Sequence, residues 1–236
     1  MFYDCSSLTT SPELPATTLT NYCYSAMFAN TNILPDCSNI DFTSQSIINS
    51  RGLNGLFAYT KVTDNDLRNI LPINPTTNNY YLPATTLASY CYERMFIGCT
   101  SLTTAPELPA TTLADNCYND MFSNCTSLTE APELPATTLV DSCYYGMFGG
   151  CTSLTEAPEL PATTLTNNCY TLMFRDCKKL NYIKAMFTTK PSIPYTTNWV
   201  RGVASTGTFV KNSAATWNVS GYNGVPNGWT VQTASE

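Results

Sequence analysis

A 26-residue unit recurs almost letter for letter along much of the chain, and it limits the possible folds more than any other feature. The interval separates Met95, Met121, Met147 and Met173, and again Cys99, Cys125, Cys151 and Cys177; Met1 and Met27 show it near the other end. Self-similarity at such a period predicts a repeat solenoid, in which each unit buries its apolar side by stacking on its neighbours. Positions held fixed between copies are Met-Phe, the Cys that follows, Ser-Leu-Thr, Pro-Glu-Leu-Pro-Ala-Thr-Thr-Leu and Cys-Tyr. Three sets vary: Ile97-Gly98, Ser123-Asn124 and Gly149-Gly150 after Met-Phe; Ala114 to Asn116 and Val140 to Ser142 after the last Leu; Asn119-Asp120 and Tyr145-Gly146 after Cys-Tyr. The variable sets are expected to face solvent.

Within one unit, Leu113, Cys117, Met121, Phe122 and Cys125 fall at i, i+4, i+8, i+9 and i+12. This predicts a short helix from about Ala114 to Ser123, with Thr111 or Thr112 as its N-cap. Ser127 to Ala131 reads as a short strand with Leu128 inward and Thr129 outward, ended by Pro132. A proline in each unit narrows the expected parallel sheet to about three or four residues per strand. The expectation is thus an α/β repeat solenoid over residues 1–180, with irregular units at 29–81 where Cys37, Leu56-Phe57, Leu67 and Leu71-Pro72 are remnants of the apolar slots. From residue 181 the period dissolves into Pro and Gly turns, with short strands expected at Phe209-Val210, Thr216 to Val219 and Trp229 to Val231. Residues 181–236 are read as a C-terminal cap, with Trp199, Trp217 and Trp229 covering the open end.

Charged residues make up only 12% of the chain, and Thr, Asn and Ser supply the polar surface. This composition suits a secreted or surface protein. The net charge of −6 is unevenly spread: Met95 to Phe174 holds eight acids and no base, whereas Arg175 to Lys211 holds seven bases and the single acid Asp176. An array without a basic face is not expected to bind nucleic acid. No apolar run is long enough to insert in a membrane. Met1-Phe2 with Cys5 and Leu8 is already mid-repeat, so an export signal is expected upstream.

Eleven cysteines and no histidine argue against zinc, and the Cys-x7-Cys spacing lacks a C-x2-C pair. The choice is between bridges and free thiols packed in columns; free, buried thiols are favoured, since unpaired cysteine is among the most buried residue types. No general base is placed beside a nucleophile, no nucleotide loop occurs, and no cofactor is expected. Leu-Pro-Ala-Thr-Thr, present five times, resembles a sortase signal but is internal and repeated, and is read as a turn. Glu107, Glu133 and Glu159 recur at the period, joined by Glu130 and Glu156, and predict a column of carboxylates. Such a column is either a solvated row, which is favoured, or a seat for Ca²⁺ or a cationic partner. Tyr22, Tyr90 and Tyr145 lie in variable sets, where packing does not demand them, and are candidate contacts for proteins or sugars.

The pattern Leu-Pro-x-x-Leu-x-x-x-Cys-x-x-x-Met-Phe-x-x-Cys-x-x-Leu resembles the BspA-like leucine-rich repeats of bacterial surface proteins. Phe96, Phe122 and Phe148 with Cys99, Cys125 and Cys151 match that family's Phe-x-x-Cys element, and Leu102, Leu128 and Leu154 match the Leu beyond it. Departures are Met for Ala before Phe, Cys-Tyr for Ile-Gly, and a longer unit than the usual repeat of about 23 residues. Gly207 to Val231 is similar to the tails of such proteins from Bacteroides-type bacteria. The resemblance implies a right-handed leucine-rich-repeat coil, exposed at the cell surface, that mediates adhesion without catalysis. A carbohydrate-binding surface module and a structural fibre or phage-tail component are the alternatives.

Overall fold

The computed structural model describes residues 4, 5, 25–31, 34, 37, 40, 42 and 53–234. Its regular elements are few: α1 (Asp64–Ile70), β1 (Tyr182–Ala185), β2 (Thr208–Lys211) and β3 (Thr230–Thr233). The strands form one parallel sheet in the order β1-β2-β3, with Tyr182 opposite Thr208 and Thr208 opposite Thr230. Single parallel bridges extend the same alignment back through the repeats: Tyr81 to Glu107, Thr104 to Glu130 and Glu156 to Tyr182. β2 and β3 fall on two of the expected strands, whereas β1 was not expected and Thr216 to Val219 forms no named strand.

The helix expected from Ala114 to Ser123 is absent, and the segment is a ribbon of tight turns. Asn116, Asp120 and Asn124, four residues apart, hold φ of 56°, 52° and 61°. The N–H groups of Cys117, Asn119, Met121, Ser123 and Cys125 each bond the carbonyl three residues back, so a turn closes at every second residue. The alternate N–H groups leave the unit: those of Tyr118, Asp120 and Phe122 donate to the carbonyls of Cys143, Tyr145 and Met147 at 3.1, 2.8 and 2.9 Å. An α-helix would keep these donors to itself. The same bonding joins residues 90–98 to 115–123, 142–150 to 167–175, and 168–176 to 194–201. It also reaches the irregular units, since Phe57 N–H bonds Met95 O at 2.9 Å, with Leu56-Phe57 standing where other copies have Met-Phe. Without a helix, Thr112 caps nothing; it bridges Thr86 in parallel instead.

This ribbon sets the core. Between the left-handed positions the ribbon buries Cys117, Tyr118, Met121 and Phe122 but leaves Asn119 and Ser123 half-buried; Cys125 and Leu128 are buried beyond them and Thr129 is outside. Identical units place identical rings in register. Phe57, Phe96, Phe122, Phe148 and Phe174 stack at centroid separations of 5.3, 5.5, 5.7 and 5.8 Å, with planes within 9° of parallel. Tyr92, Tyr118, Tyr144 and Tyr170 form a second column at 5.9, 5.8 and 6.1 Å. Such contacts add about 0.5–1.5 kcal/mol per pair beyond area burial. Trp199 lies against both columns, 6.2 Å from Tyr170 and 6.1 Å from Phe174, and its Nε1–H donates to Gly224 O at 2.9 Å. Trp217 stacks on Phe187 at 5.3 Å.

The variable positions do not all face solvent: Ile97 and Gly146 are buried and Val140 packs on the core. Geometry restricts them too. Down the last left-handed column, Asp4, Asn30 and Tyr59 are followed by Gly98, Asn124, Gly150, Asp176 and Gly202, so side chain and glycine alternate from Tyr59 onward. A Cβ on Gly150 (φ +76°) would run into the Asn124 carboxamide, and one on Gly98 into the Tyr59 ring. Replacing Gly150 by Ala is therefore expected to destabilise the protein by about 1–2 kcal/mol. Chemical denaturation of G150A checks this, with G149A, at a glycine of ordinary φ, as the milder reference.

Candidate functional site

The strand expected at Ser127 to Ala131 is reduced to a single bridge at Glu130, and the Pro-Glu-Leu-Pro segment follows it without regular structure; stacking aligns these segments into a trough. Ala131, Pro132, Glu133 and Pro135 face Pro158, Glu159 and Pro161 across an open cleft of about 370 Å³. A second cleft of about 400 Å³ continues it past Glu130 and Glu107 to Asn74, Thr77 and Asn79. A third, of about 440 Å³, lies between Thr129 to Ala131 and Thr155 to Pro158 and takes in Glu130 and Glu156. All five glutamates singled out in the sequence thus line one continuous face.

Their surroundings differ. Glu107 is half-buried and accepts from Asn74 Nδ2 at 2.7 Å and from the Thr77 hydroxyl. Glu159, at the other end, pairs with Lys184 Nζ at 2.9 Å. Glu130, Glu133 and Glu156 between them are exposed, and none has an ion pair among the described residues. The carboxylates line a wall without converging: among the described residues, no three or more His, Cys, Asp or Glu are placed to hold a metal ion.

Residues 63–81, irregular in sequence, close one end of the trough. Thr63 caps α1 in a reciprocal pair with Asp66, whose carboxylate accepts from Thr63 N–H at 2.8 Å. The first helical residue, Asp64, reaches across to the repeats, where its carboxylate accepts from the N–H groups of Thr103 and Thr104 at 3.0 and 3.1 Å and from the Thr103 hydroxyl. It takes the place of a preceding strand. Ile73 and Tyr80 then pair antiparallel, and the loop between them presents Asn74 and Thr77 to Glu107. The signal for this was present: Thr63 three residues before Asp66, ahead of Leu67, is a capping box.

The tyrosine candidates lie elsewhere. Tyr90 and Tyr145 are half-buried on the turn ribbon, Tyr90 at φ 62°, and neither lines the clefts. Tyr22 lies outside the described residues. Sequence reasoning missed Tyr59, about half exposed at 49%, which borders a smaller cleft with Ala58, Arg94 and Ile97. Arg94 and Asp120 pair there at 3.5 Å.

The described cysteines are unbridged, and all but Cys5 are buried. Cys125, Cys151 and Cys177 each donate their thiol to a phenylalanine carbonyl of the preceding unit, at 3.1, 3.1 and 3.0 Å. Burial pushes Cys99 and Cys177 from 9.0 up to about 12, so these thiols stay neutral. No helix among the described residues is long and apolar enough to cross a membrane. No protein-family model, curated protein or solved structure matches the sequence.

Two outcomes are expected. Asp64→Ala leaves the Thr103 and Thr104 amides unpaired, which lowers stability by about 1–3 kcal/mol and speeds hydrogen exchange at those amides. Because folding raises the thiol pKa, the folded state holds protons that the unfolded chain releases above pH 9. The stabilising contribution is complete below that pH and is lost between 9 and about 12, at about 1.4 kcal/mol per pH unit for each thiol. Urea midpoints under reducing conditions should be level to pH 9 and fall above it.

Proposed function

We propose that the chain is a leucine-rich-repeat type of solenoid, with a C-terminal cap from residue 181, that serves as a non-catalytic binding scaffold for proteins at the cell surface. The supporting observation is that successive units are joined backbone to backbone and ring to ring from Phe57 to Trp199. Such a stack consumes the repeated Cys, Tyr, Met, Phe and Leu in its core and leaves binding to the faces where the units present polar side chains and clefts. Here the helical arm of a leucine-rich repeat is replaced by the turn ribbon. The tryptophans at the far end cover the last rings with bulk that no repeat unit supplies. Neutral, buried thiols and the lack of histidine support a role without covalent chemistry. The open form of the clefts suits a macromolecule better than an enclosed small ligand.

A screen of the purified chain against extracellular proteins and glycans, in Ca²⁺ and in EDTA, tests this. Saturable binding to proteins that survives EDTA is the expected result. Binding to glycans alone would replace the reading with a carbohydrate module, and binding to neither class would leave a structural spacer.

A further inference from the structure

We infer that the Pro-Glu-Leu-Pro trough docks an extended, lysine- or arginine-bearing segment of a partner protein. This rests on the protein-binding reading above and adds the chemistry and place of the contact. The trough floor carries apolar residues: Pro132, Leu134 and Pro158 lie at its base, Pro135 and Pro161 border it, and Ala131 lines all three clefts. Proline has no N–H, so this floor offers few donors to an anionic or sugar ligand. It suits methylene stems, which lie on apolar surface while their charged heads reach outward.

The walls supply what such heads need. Glu130, Glu133 and Glu156 stand exposed along the trough with no ion pair among the described residues. No Lys or Arg occurs from Met95 to Phe174 to neutralise them. The chain itself shows how the wall meets a cation, since Lys184 places its ammonium 2.9 Å from Glu159 where the acidic units end. At the other end the carboxylate of Glu107 is satisfied by Asn74 and Thr77. The chain's own groups thus serve both ends, and the charge between them is left for a cationic occupant. Bridged backbones lie about 4.8 Å apart, so a segment that runs past the three units of Glu107, Glu133 and Glu159 covers about 10 Å, the reach of about three extended residues. An acidic wall also repels nucleic acid and speeds encounter with basic partners.

The test is fluorescence anisotropy of a labelled peptide of alternating Lys and Thr, titrated with the purified chain at physiological and at about 1 M ionic strength. Saturable binding that is lost at high salt is expected, with no binding of the Glu-Thr counterpart. Two variants should each weaken it by about tenfold or more: E130Q/E133Q/E156Q, which removes the wall charge, and Ala131→Arg, which seats a resident cation on the floor. D115N/D141N, which removes two exposed charges from the turn ribbon, should change it less than about twofold. Circular dichroism melts confirm that each variant is folded. No saturable binding, an equal loss in the ribbon variant, or full displacement by spermidine at matched charge would overturn the inference. So would a protein partner from the screen that binds the trough variants as well as it binds the natural chain, and in that case the scaffold reading stands. Peptide binding as expected, beside a screen that returns only glycans, would sustain the trough and remove the scaffold reading.

Discussion

The structure depends on how each unit divides its backbone hydrogen bonds. In the ribbon from 116 to 125, odd-numbered N–H groups close turns within the unit and even-numbered ones bond the next unit, the latter at 2.7–3.1 Å. Neither set alone would satisfy the segment, and buried peptide groups left unpaired are expensive. The division needs a left-handed residue every fourth position, which explains the Asn, Asp and Gly found at most of those sites. Tyr90, Arg94 and Leu172 take that conformation without such help, and the interlocking bonds on either side hold them there.

Register follows from the same bonds. Once each ribbon is tied to the next, equivalent side chains have no freedom to offset, and the phenylalanines and tyrosines lie in near-parallel columns. The thiols of Cys99, Cys125, Cys151 and Cys177 turn toward carbonyls of the neighbouring unit at 2.9–3.1 Å, which gives these buried sulfurs a polar contact without a bridge. The surface is ordered too: carboxylates that are remote in sequence line one trough, and from Tyr59 onward the side chains of the last left-handed column alternate with glycine, whose missing Cβ leaves room for the neighbouring side chain.

A stack has ends, and this chain treats its sheet edges with different chemistry. Toward the N-terminal side, the Asp64 carboxylate takes the N–H of Thr103, whose counterpart Thr129 bonds the carbonyl of the preceding unit, together with the N–H of Thr104 beside it. Toward the C-terminal side, bonding passes into longer strands, and Trp199, Trp217 and Trp229 are buried where the repeated residues stop. The charge pattern changes at the same boundary, with Lys184 as the first lysine to answer the glutamate wall.

The sequence by itself determined the period, the identity of the core and the grouping of the glutamates, because each follows from repetition. Residues repeated at a fixed interval in stacked units must meet their equivalents, as Phe96 meets Phe122 and as Glu133 faces Glu159. Free, buried thiols were legible for the same reason. The tertiary structure alone decided that the Leu113 to Cys125 segment is a ribbon and not a helix. Apolar residues four apart satisfy both forms, and the choice turns on whether alternate N–H groups find acceptors in a neighbouring unit. It alone decided that Tyr90 and Tyr145 stand apart from the glutamates, and that Asp64, 39 residues from Thr103 in sequence, closes the edge of the repeats. Contacts between an irregular segment and a regular one carry no period, so only the folded chain reveals them.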